Sequence, residues 1–168
     1  MKKIVDFFLF SILLFCFSFI IVMGWQVDTL KVVDSEGLVF YETVLPAFVS
    51  FDTSYIHSVE QTEVQDTYVV TCGKMWSWEE RTKSLKAGMP QQAPRCGRFF
   101  MTNDWLVYQG GRLPWNKFYY RIGNAILGRN KASFPYLKEK KLYEIFPNKR
   151  IVIAVEKKAN FLSQKYPK

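Results

Sequence analysis

Apolar positions dominate the N-terminal region of the chain. Residues 4–24 are almost entirely hydrophobic, carry no charge between 7 and 23, and follow Lys2 and Lys3. A helix of about 20 residues, rising ~1.5 Å per residue, spans the ~30 Å hydrocarbon core of a bilayer. The pattern therefore predicts a cytoplasmic stub and an uncleaved transmembrane signal anchor in residues 1–24, in contact with the lipid bilayer.

A cleaved secretory signal is the main alternative for this apolar stretch. It is disfavoured because the apolar part of a signal is usually ~7 to 15 residues long and ends at a pair of small residues, which the sequence lacks here. Trp25 suits the headgroup region, and the charge of Lys2 and Lys3 favours a cytoplasmic N-terminus. These three residues are the predicted membrane interface. We expect the protein in the inner (cytoplasmic) membrane, crossing it once, with residues 25–168 in the periplasm.

Several later segments have the composition of β-strands. Residues 26–33, 56–72 and 97–109 are rich in β-branched and aromatic residues, and polar breaks would divide the last two into shorter strands. Residues 150–155, RIVIAV, form a nearly continuous apolar run, which predicts a central strand buried on both faces. Residues 38–51 fit a strand or a helix, and the strand is favoured because strand formers outnumber helix formers.

Other segments have the spacing of amphipathic helices. Ser77 and Glu80 fit a capping box, which predicts a helix that ends near Gly88. Residues 114–127 place apolar side chains three and four positions apart after a first-turn proline, and a further helix is expected from about 135 to 145. The sequence thus predicts an α+β fold, in which an N-terminal transmembrane helix precedes one small extracytoplasmic domain with a mostly antiparallel sheet and two to three helices.

The three cysteines divide between the two predicted environments. Cys16 lies in the apolar stretch, where a thiol packs as a small hydrophobe. Cys72 and Cys96 lie in the part predicted to be periplasmic, an oxidising compartment, so we expect a disulfide between them. Closing a loop of about 25 residues would stabilise the fold by roughly 3 kcal/mol. The bond would enclose residues 72–96 as a helical excursion.

Charge is distributed unevenly along the chain, whose formal net charge is +8. Residues 25–116 hold 8 basic and 11 acidic side chains, whereas residues 117–168 hold 13 basic and 3 acidic ones. A positive field of this kind favours anionic lipid, acidic glycan or an acidic protein, and the predicted periplasmic location disfavours nucleic acid. The candidate patch for an anionic partner in this basic module comprises Lys138, Lys140, Lys141, Lys149, Arg150, Lys157 and Lys158.

The sequence contains no recognisable catalytic or cofactor motif. It has no nucleophile elbow, phosphate-binding loop or dinucleotide-binding glycine pattern, and His57 is its single histidine. A zinc site built on Cys and His would therefore lack ligands, and no catalytic, metal or cofactor-binding residue is predicted. The tryptophans at 76, 78, 105 and 115 could stack on sugars of a cell-wall polymer, but core packing is the favoured interpretation.

These observations predict a protein that works by binding. The favoured function is a structural or assembly component of an envelope-spanning complex of the secretion, conjugation or phage-lysis type, with other envelope proteins as partners. That expectation rests on architectural analogy. The alternative is a membrane-tethered hydrolase that acts on cell-envelope polymers.

Overall fold

The structure, a computed structural model, describes residues 10–19, 26–84, 92–111 and 114–159. This part of the chain consists mainly of β-strands, with one helix, α1, at residues 10–19 and a single helical turn, α2, at Leu142–Ile145. The strands are β1 Gln26–Val33, β2 Val39–Leu45, β3 Val49–Ile56, β4 Glu63–Thr71, β5 Lys74–Thr82, β6 Gly97–Met101, β7 Leu106–Gly110, β8 Pro114–Trp115, β9 Lys117–Arg121, β10 Gly128–Ser133, β11 Lys140–Lys141 and β12 Arg150–Ala159.

The strands form two antiparallel sheets. The smaller sheet has the order β2-β1-β12-β9, and the larger has the order β11-β10-β3-β4-β5-β7-β6, with β8 paired to β5. In the smaller sheet, β1 pairs with β12 along its whole length, from Gln26 opposite Ala159 to Val33 opposite Val152. The longest pairings of the larger sheet join β3 to β4 and β4 to β5.

The two sheets pack face to face around one hydrophobic core. Aromatic rings connect them: the ring of Tyr68 on β4 stacks on Phe51 at a centroid distance of 4.9 Å and on Phe118 of β9 at 5.0 Å. Alternate side chains of β1 and β12 supply the aliphatic part of this core, as expected for strands with one buried face. The fully buried side chains in the cluster include Leu30, Val32, Val70, Met75, Leu142, Ile151 and Ile153.

The predicted α+β fold is therefore wrong, because the domain is built from two β-sheets. Where a helix was predicted from Ser77, the structure has strand β5 up to Thr82. The side chains of Met75 and Ser77 are buried whereas those of Trp76 and Trp78 are exposed, an alternation with period two that belongs to a strand. Pairing with β4 outweighs the local capping signal, since propensity is a weak prior against tertiary packing.

The other two predicted helices are also largely wrong. Residues 114–121 contain β8 and β9. In β9, Phe118 and Tyr120 point inward, and Tyr119 between them points outward. A run of consecutive aromatics satisfies both a helical and a strand period, so its spacing misled the prediction. Of the helix expected at 135–145, the turn α2 is present.

Most of the predicted strands are confirmed. β1 coincides with residues 26–33, and residues 38–51 contain β2 and the start of β3. Residues 97–109 form the two short strands β6 and β7, as expected from the polar break between them. β12 is central in its sheet, but the side chains of its alternate residues are partly exposed, so burial on both faces is wrong.

The N-terminal transmembrane helix of the predicted fold is not supported either. Within the residues that the structure describes, no helix is both long and apolar enough to cross a membrane. α1 covers residues 10–19, with exposed apolar side chains such as Phe10, Leu13 and Phe15. Lys2, Lys3 and Trp25, predicted at the membrane interface, lie outside the described residues, as does much of the stretch 4–24.

Candidate functional site

The structure does not bring the predicted basic patch together on one surface. Lys138, Lys140 and Lys141 lie at and just before the edge strand β11 of the larger sheet. The other four lie in two groups at opposite ends of β12, in the smaller sheet. Seven residues separate Arg150 from Lys157, or roughly 23 Å at ~3.3 Å per strand residue. The patch therefore divides into three separate groups.

Three of these lysines are already paired with carboxylates. The Nζ atoms of Lys141 and Lys149 lie 3.1 Å and 3.3 Å from carboxylate oxygens of Glu144 and Glu36, and Lys158 pairs with Glu42. Exposed pairs of this kind stabilise a fold by about 0 to 1 kcal/mol. They do, however, reduce the charge left for a partner, so the sequence count overstates the positive field.

The predicted disulfide is absent, and both cysteines are free, exposed thiols. Cys72 is in the two-residue turn between β4 and β5, and Cys96 precedes β6. Gly97 of β6 pairs with Gly110 of β7, and the preceding β7 residue, Gln109, pairs with Glu79 of β5. Cys96, next to Gly97, therefore lies at the level of the middle of β5. That places it roughly 10 Å along the strand from the turn, at ~3.3 Å per residue. A disulfide requires Cα atoms within about 7 Å.

A groove on the outer face of the larger sheet is the main candidate site. Trp76 and Trp78 on β5 are 36% and 48% exposed, and Phe48, between β2 and β3, is 76% exposed. Their side chains enclose a volume of about 530 Å³, within the range of small-ligand pockets. We call it the tryptophan groove, and its lining residues are Phe48, Val69, Thr71, Trp76, Ser77, Trp78, Cys96, Gly110 and Gly111.

A β-bulge places the second tryptophan on this face. Tyr68 pairs with Ser77 and Thr67 pairs with Glu79, so Trp78 is the extra residue of β5. The turn before the strand sets the register, because Cys72 and Gly73 both have positive φ, 54° and 75°, as a two-residue hairpin loop requires. Bulges that redirect a side chain are frequent beside functional sites.

Strained backbone borders the groove on two sides. Phe48 has φ 62° and Cys96 has φ 59°, a left-handed conformation that costs a non-glycine residue about 1 kcal/mol or more. Because the ring of Phe48 is exposed, burial of its apolar surface does not offset the cost of this backbone conformation. The N–H of Phe48 donates to the carbonyl oxygen of Val70 at 3.0 Å and fixes the loop in this position.

The backbone that forms the far wall is packed closely. Gly111 has φ 73°, and a Cβ atom there would lie 2.0 Å from the carbonyl oxygen of Arg95. A Cβ at Gly97 would likewise collide with the carbonyl oxygen of Gln109 at 2.5 Å. Glycine is therefore required at both positions, so that Cys96 and the end of β7 can form one wall.

The lining of the tryptophan groove contains no charged side chain. Three aromatic rings, one valine and two glycines provide apolar surface, and the polar side-chain groups are the Thr71 hydroxyl and the Cys96 thiol. The Ser77 side chain is buried on the opposite face of β5. Tryptophan buries a large area at low entropic cost and is enriched at the centres of protein interfaces. Such a groove can bind an apolar or aromatic segment.

A second candidate lies on the inner face of the same hairpin. Asp66 on β4 pairs with Glu80 on β5, which pairs in turn with Tyr108 on β7. We call these three residues the carboxylate row. Directly opposite side chains lie about 5 Å apart at Cβ, so the two carboxyl groups are neighbours. Glu80 is 8% exposed, and the row faces the interior between the sheets.

Tyrosines surround the carboxylate row and remain protonated at neutral pH. Burial, and then the charges of Asp66 and Glu80, raises the pKa of Tyr55 to about 12. Burial also raises the pKa of Tyr120 to about 12, although hydrogen bonds with Asn130 and Thr53 oppose the change. The pKa of Tyr68 is raised further by burial. These phenols can donate hydrogen bonds but do not serve as bases at neutral pH.

The sequence interpretation of the tryptophans was wrong at three positions. Trp76, Trp78 and Trp115 are exposed rather than packed in the core, and Trp105 is half-buried, with the Lys83 ammonium 4.8 Å from its ring centroid. The alternation of Trp76, Ser77 and Trp78 was the available signal, but it was assigned to a helix. No sequence signal marks the left-handed conformation of Phe48.

Comparison with known proteins identifies one similarity. Residues 51–133 match the model of a family described as "Domain of unknown function (DUF1850)". The matched segment runs from within β3 to the end of β10. It contains the tryptophans of the groove and the whole carboxylate row. Searches of curated proteins and of solved structures find no match.

Proposed function

We propose that the domain is a protein-binding module, which acts as an assembly component by holding an apolar segment of a partner in the tryptophan groove. One observation carries the proposal: three large aromatic side chains remain exposed around an uncharged groove of about 530 Å³. Exposed apolar clusters of this kind are found at interaction sites. A sugar polymer is disfavoured as the ligand, since the lining has few polar groups to bind its hydroxyls.

The partner is expected in the cell envelope. An apolar stretch behind Lys2 and Lys3 is the part of the sequence that supports export. A reporter active only in the periplasm, fused after Lys168, should therefore give activity. Activity confined to a cytoplasmic reporter at the same position would exclude an envelope partner, while leaving the binding role of the groove open.

The binding role is tested with tagged full-length protein expressed in its native host. Proteins that copurify with the wild type should be reduced at least about tenfold in the double variant Trp76→Ala, Trp78→Ala, since interface tryptophans often contribute 2 kcal/mol or more each. Tyr136→Ala is the matched control, because Tyr136 is also exposed, at 78%, but lies at the other edge of the larger sheet. Equal recovery in both variants would refute the groove as the binding site.

A chemical version of the experiment uses the two thiols. A bulky maleimide on Cys96 should block partner binding, because Cys96 lines the groove, whereas the same label on Cys72 should not. The two labelled proteins are prepared from Cys72→Ser and Cys96→Ser variants that both also carry Cys16→Ser, because Cys16 is a third exposed thiol. Loss of binding from Cys72 labelling alone would place the interface elsewhere.

Hydrolysis of an envelope polymer is the second candidate function. The observation that favours it is the carboxylate row, where Asp66 and Glu80 are direct neighbours. Glycosidases act through a pair of Asp or Glu side chains, and these two carboxylates are adjacent across one strand pair. Turnover of cell-wall material that is abolished by Glu80→Gln, and retained in Trp78→Ala, would support this function over the binding module.

A further inference from the structure

A second cavity, unrelated to the tryptophan groove, lies at one end of the sandwich. It has a volume of about 560 Å³ and lies between the end of β3, the turn after it, the end of β9 and the loop before β10. It shares no lining residue with the tryptophan groove. Because three asparagines line it, Asn124, Asn130 and Asn148, we call it the asparagine pocket.

Hydrogen bonds hold these asparagines in fixed orientations. Asn130 is 5% exposed; its Oδ1 accepts from the N–H of Gly123 at 2.7 Å, and its Nδ2 donates to the hydroxyl of Tyr120 at 3.0 Å. Nδ2 of Asn124 donates to Oδ1 of Asn148 at 3.0 Å. The walls of the pocket are therefore preorganised, which lowers the entropic cost of binding a ligand.

His57 contributes a donor to the pocket. Its Nδ1 accepts hydrogen bonds from the N–H groups of Val59 and Glu60, both at 3.3 Å. In the neutral ring the proton must then be on Nε2, so this nitrogen is a donor. Tyr55 also lines the pocket, and its phenol stays protonated at neutral pH because its pKa is raised to about 12.

The charge at the pocket is positive. Arg121 is among the lining residues, and none of them is acidic. Its cross-strand neighbour is Arg150, so two basic residues lie opposite each other where β9 ends and β12 begins. The Arg150 guanidinium lies 5.9 Å from the ring centroid of Tyr119. Neither arginine forms a salt bridge with a carboxylate in the described part of the chain. Like charges directly opposite each other are destabilising unless an anion lies near them.

We propose that the asparagine pocket binds a small organic anion, with its carboxylate or phosphate group at Arg121 and its polar remainder on His57 and the asparagines. The fork of an arginine fits both groups in bidentate fashion. The volume of the pocket suits a molecule of metabolite size rather than a polymer. The binding site is separate from the tryptophan groove, so it does not depend on the protein-binding function proposed above.

The test is a titration of ¹⁵N-labelled full-length protein with citrate and, separately, with inorganic phosphate at constant ionic strength. We expect saturable shifts of the Gly123 N–H and of the Asn130 side-chain amide with at least one of the two anions. The anion that saturates at the lower concentration identifies the ligand group as carboxylate or phosphate. The absence of saturation with both would overturn the proposal.

Two variants of equal charge distinguish a site from general attraction. Arg121→Gln should weaken the binding at least about tenfold, since a charge-assisted bidentate contact contributes 1.5 kcal/mol or more. Lys74→Gln removes the same charge at the hairpin end of β5 and should leave the affinity within about twofold. Equal weakening by both variants would show that net charge alone attracts the anion, and would refute the pocket. Arg121 is exposed, so its variant is expected to fold.

Discussion

The two faces of strand β5 differ in what their side chains do. On the inner face, Met75 is fully buried and Glu80 takes part in the carboxylate row between the sheets. On the outer face, Trp76 and Trp78 are large apolar side chains left exposed. Side chains that contribute to stability and side chains available for binding thus alternate along one strand. Mutations a single residue apart should therefore have unrelated effects.

The largest expected effect is on the inner face. Met75→Ala should lower the free energy of unfolding by about 3 kcal/mol, because it removes a fully buried side chain and leaves a cavity. Chemical denaturation measures the change, and Trp76→Ala, one residue further along the strand, is the control. If both variants lost the same free energy, the two faces would not differ as described.

The second-largest effect is expected from alkaline pH, which should lower the free energy of unfolding through the buried tyrosines of the inner face. Tyr55 and Tyr120 have folded pKa values of about 12, above the value of about 10 in an unfolded chain. The stability linked to these raised pKa values is fully present below pH 10. It is lost as the pH rises from about 10 to 12, because the tyrosines of the unfolded chain ionise first. Denaturation measured at intervals across this range should show a progressive decrease. A constant free energy of unfolding would contradict the burial of these phenols.

Removal of a single inner hydroxyl should have a smaller effect. Tyr120→Phe takes away the group that accepts from Nδ2 of Asn130, and should cost about 1 kcal/mol. It should also reduce the alkaline loss of stability. The control is Tyr119→Phe, on the neighbouring residue, which is 62% exposed. Equal costs for the two variants would mean that the hydroxyl of Tyr120 has no special role.

Phe48→Gly should raise the free energy of unfolding by about 0.5 kcal/mol, because glycine adopts a φ of 62° without strain. Binding to the tryptophan groove should fall at the same time. Phe48→Ala separates the two effects, since it removes the ring but keeps the strained backbone. A Phe48→Gly variant that is less stable than Phe48→Ala would show that strain is not stored at this residue.

The smallest effect on stability is expected at the groove itself. Trp78→Ala should leave the free energy of unfolding within about 0.5 kcal/mol of the wild type, because its ring is 48% exposed and packs on no partner ring in the described part of the chain. Thermal unfolding of this variant and of Tyr136→Ala provides the comparison. A loss above 1 kcal/mol would assign Trp78 to the core.

The sequence predicted the elements whose local and tertiary preferences agree. β1 and β12 are rich in β-branched residues and pair with each other, so period and packing point to the same strands. The prediction for residues 77–82 was wrong because the capping signal of Ser77 and Glu80 favours a helix, whereas the pairing with β4 that makes them a strand is not visible in the sequence. The hairpin turn formed by Cys72 and Gly73 joins β5 to β4, and the sequence interpretation did not predict this turn.

The candidate sites were predictable only in part. The four tryptophans were assigned to the core, with stacking as the alternative, because the exposure of Trp76 and Trp78 depends on which face of β5 the smaller sheet covers. The pairing of Arg121 with Arg150 joins residues far apart in the sequence through the β9–β12 register, which no local pattern encodes. The same holds for Asp66 and Glu80. Contacts between strands distant in the chain are determined by the sheet topology, and a single sequence gives little information about that topology.

The position of β12 has a consequence for the synthesis of the protein. This strand, residues 150–159, is inserted between β1 and β9 in the smaller sheet. During translation, β1 leaves the ribosome more than a hundred residues before its central partner is made. The smaller sheet can therefore close only after residues 150–159 have emerged, and contacts of such long sequence separation form slowly. Until then, the edge of β1 that pairs with β12 lacks its hydrogen-bond partner, and an unpaired strand edge can pair with another chain.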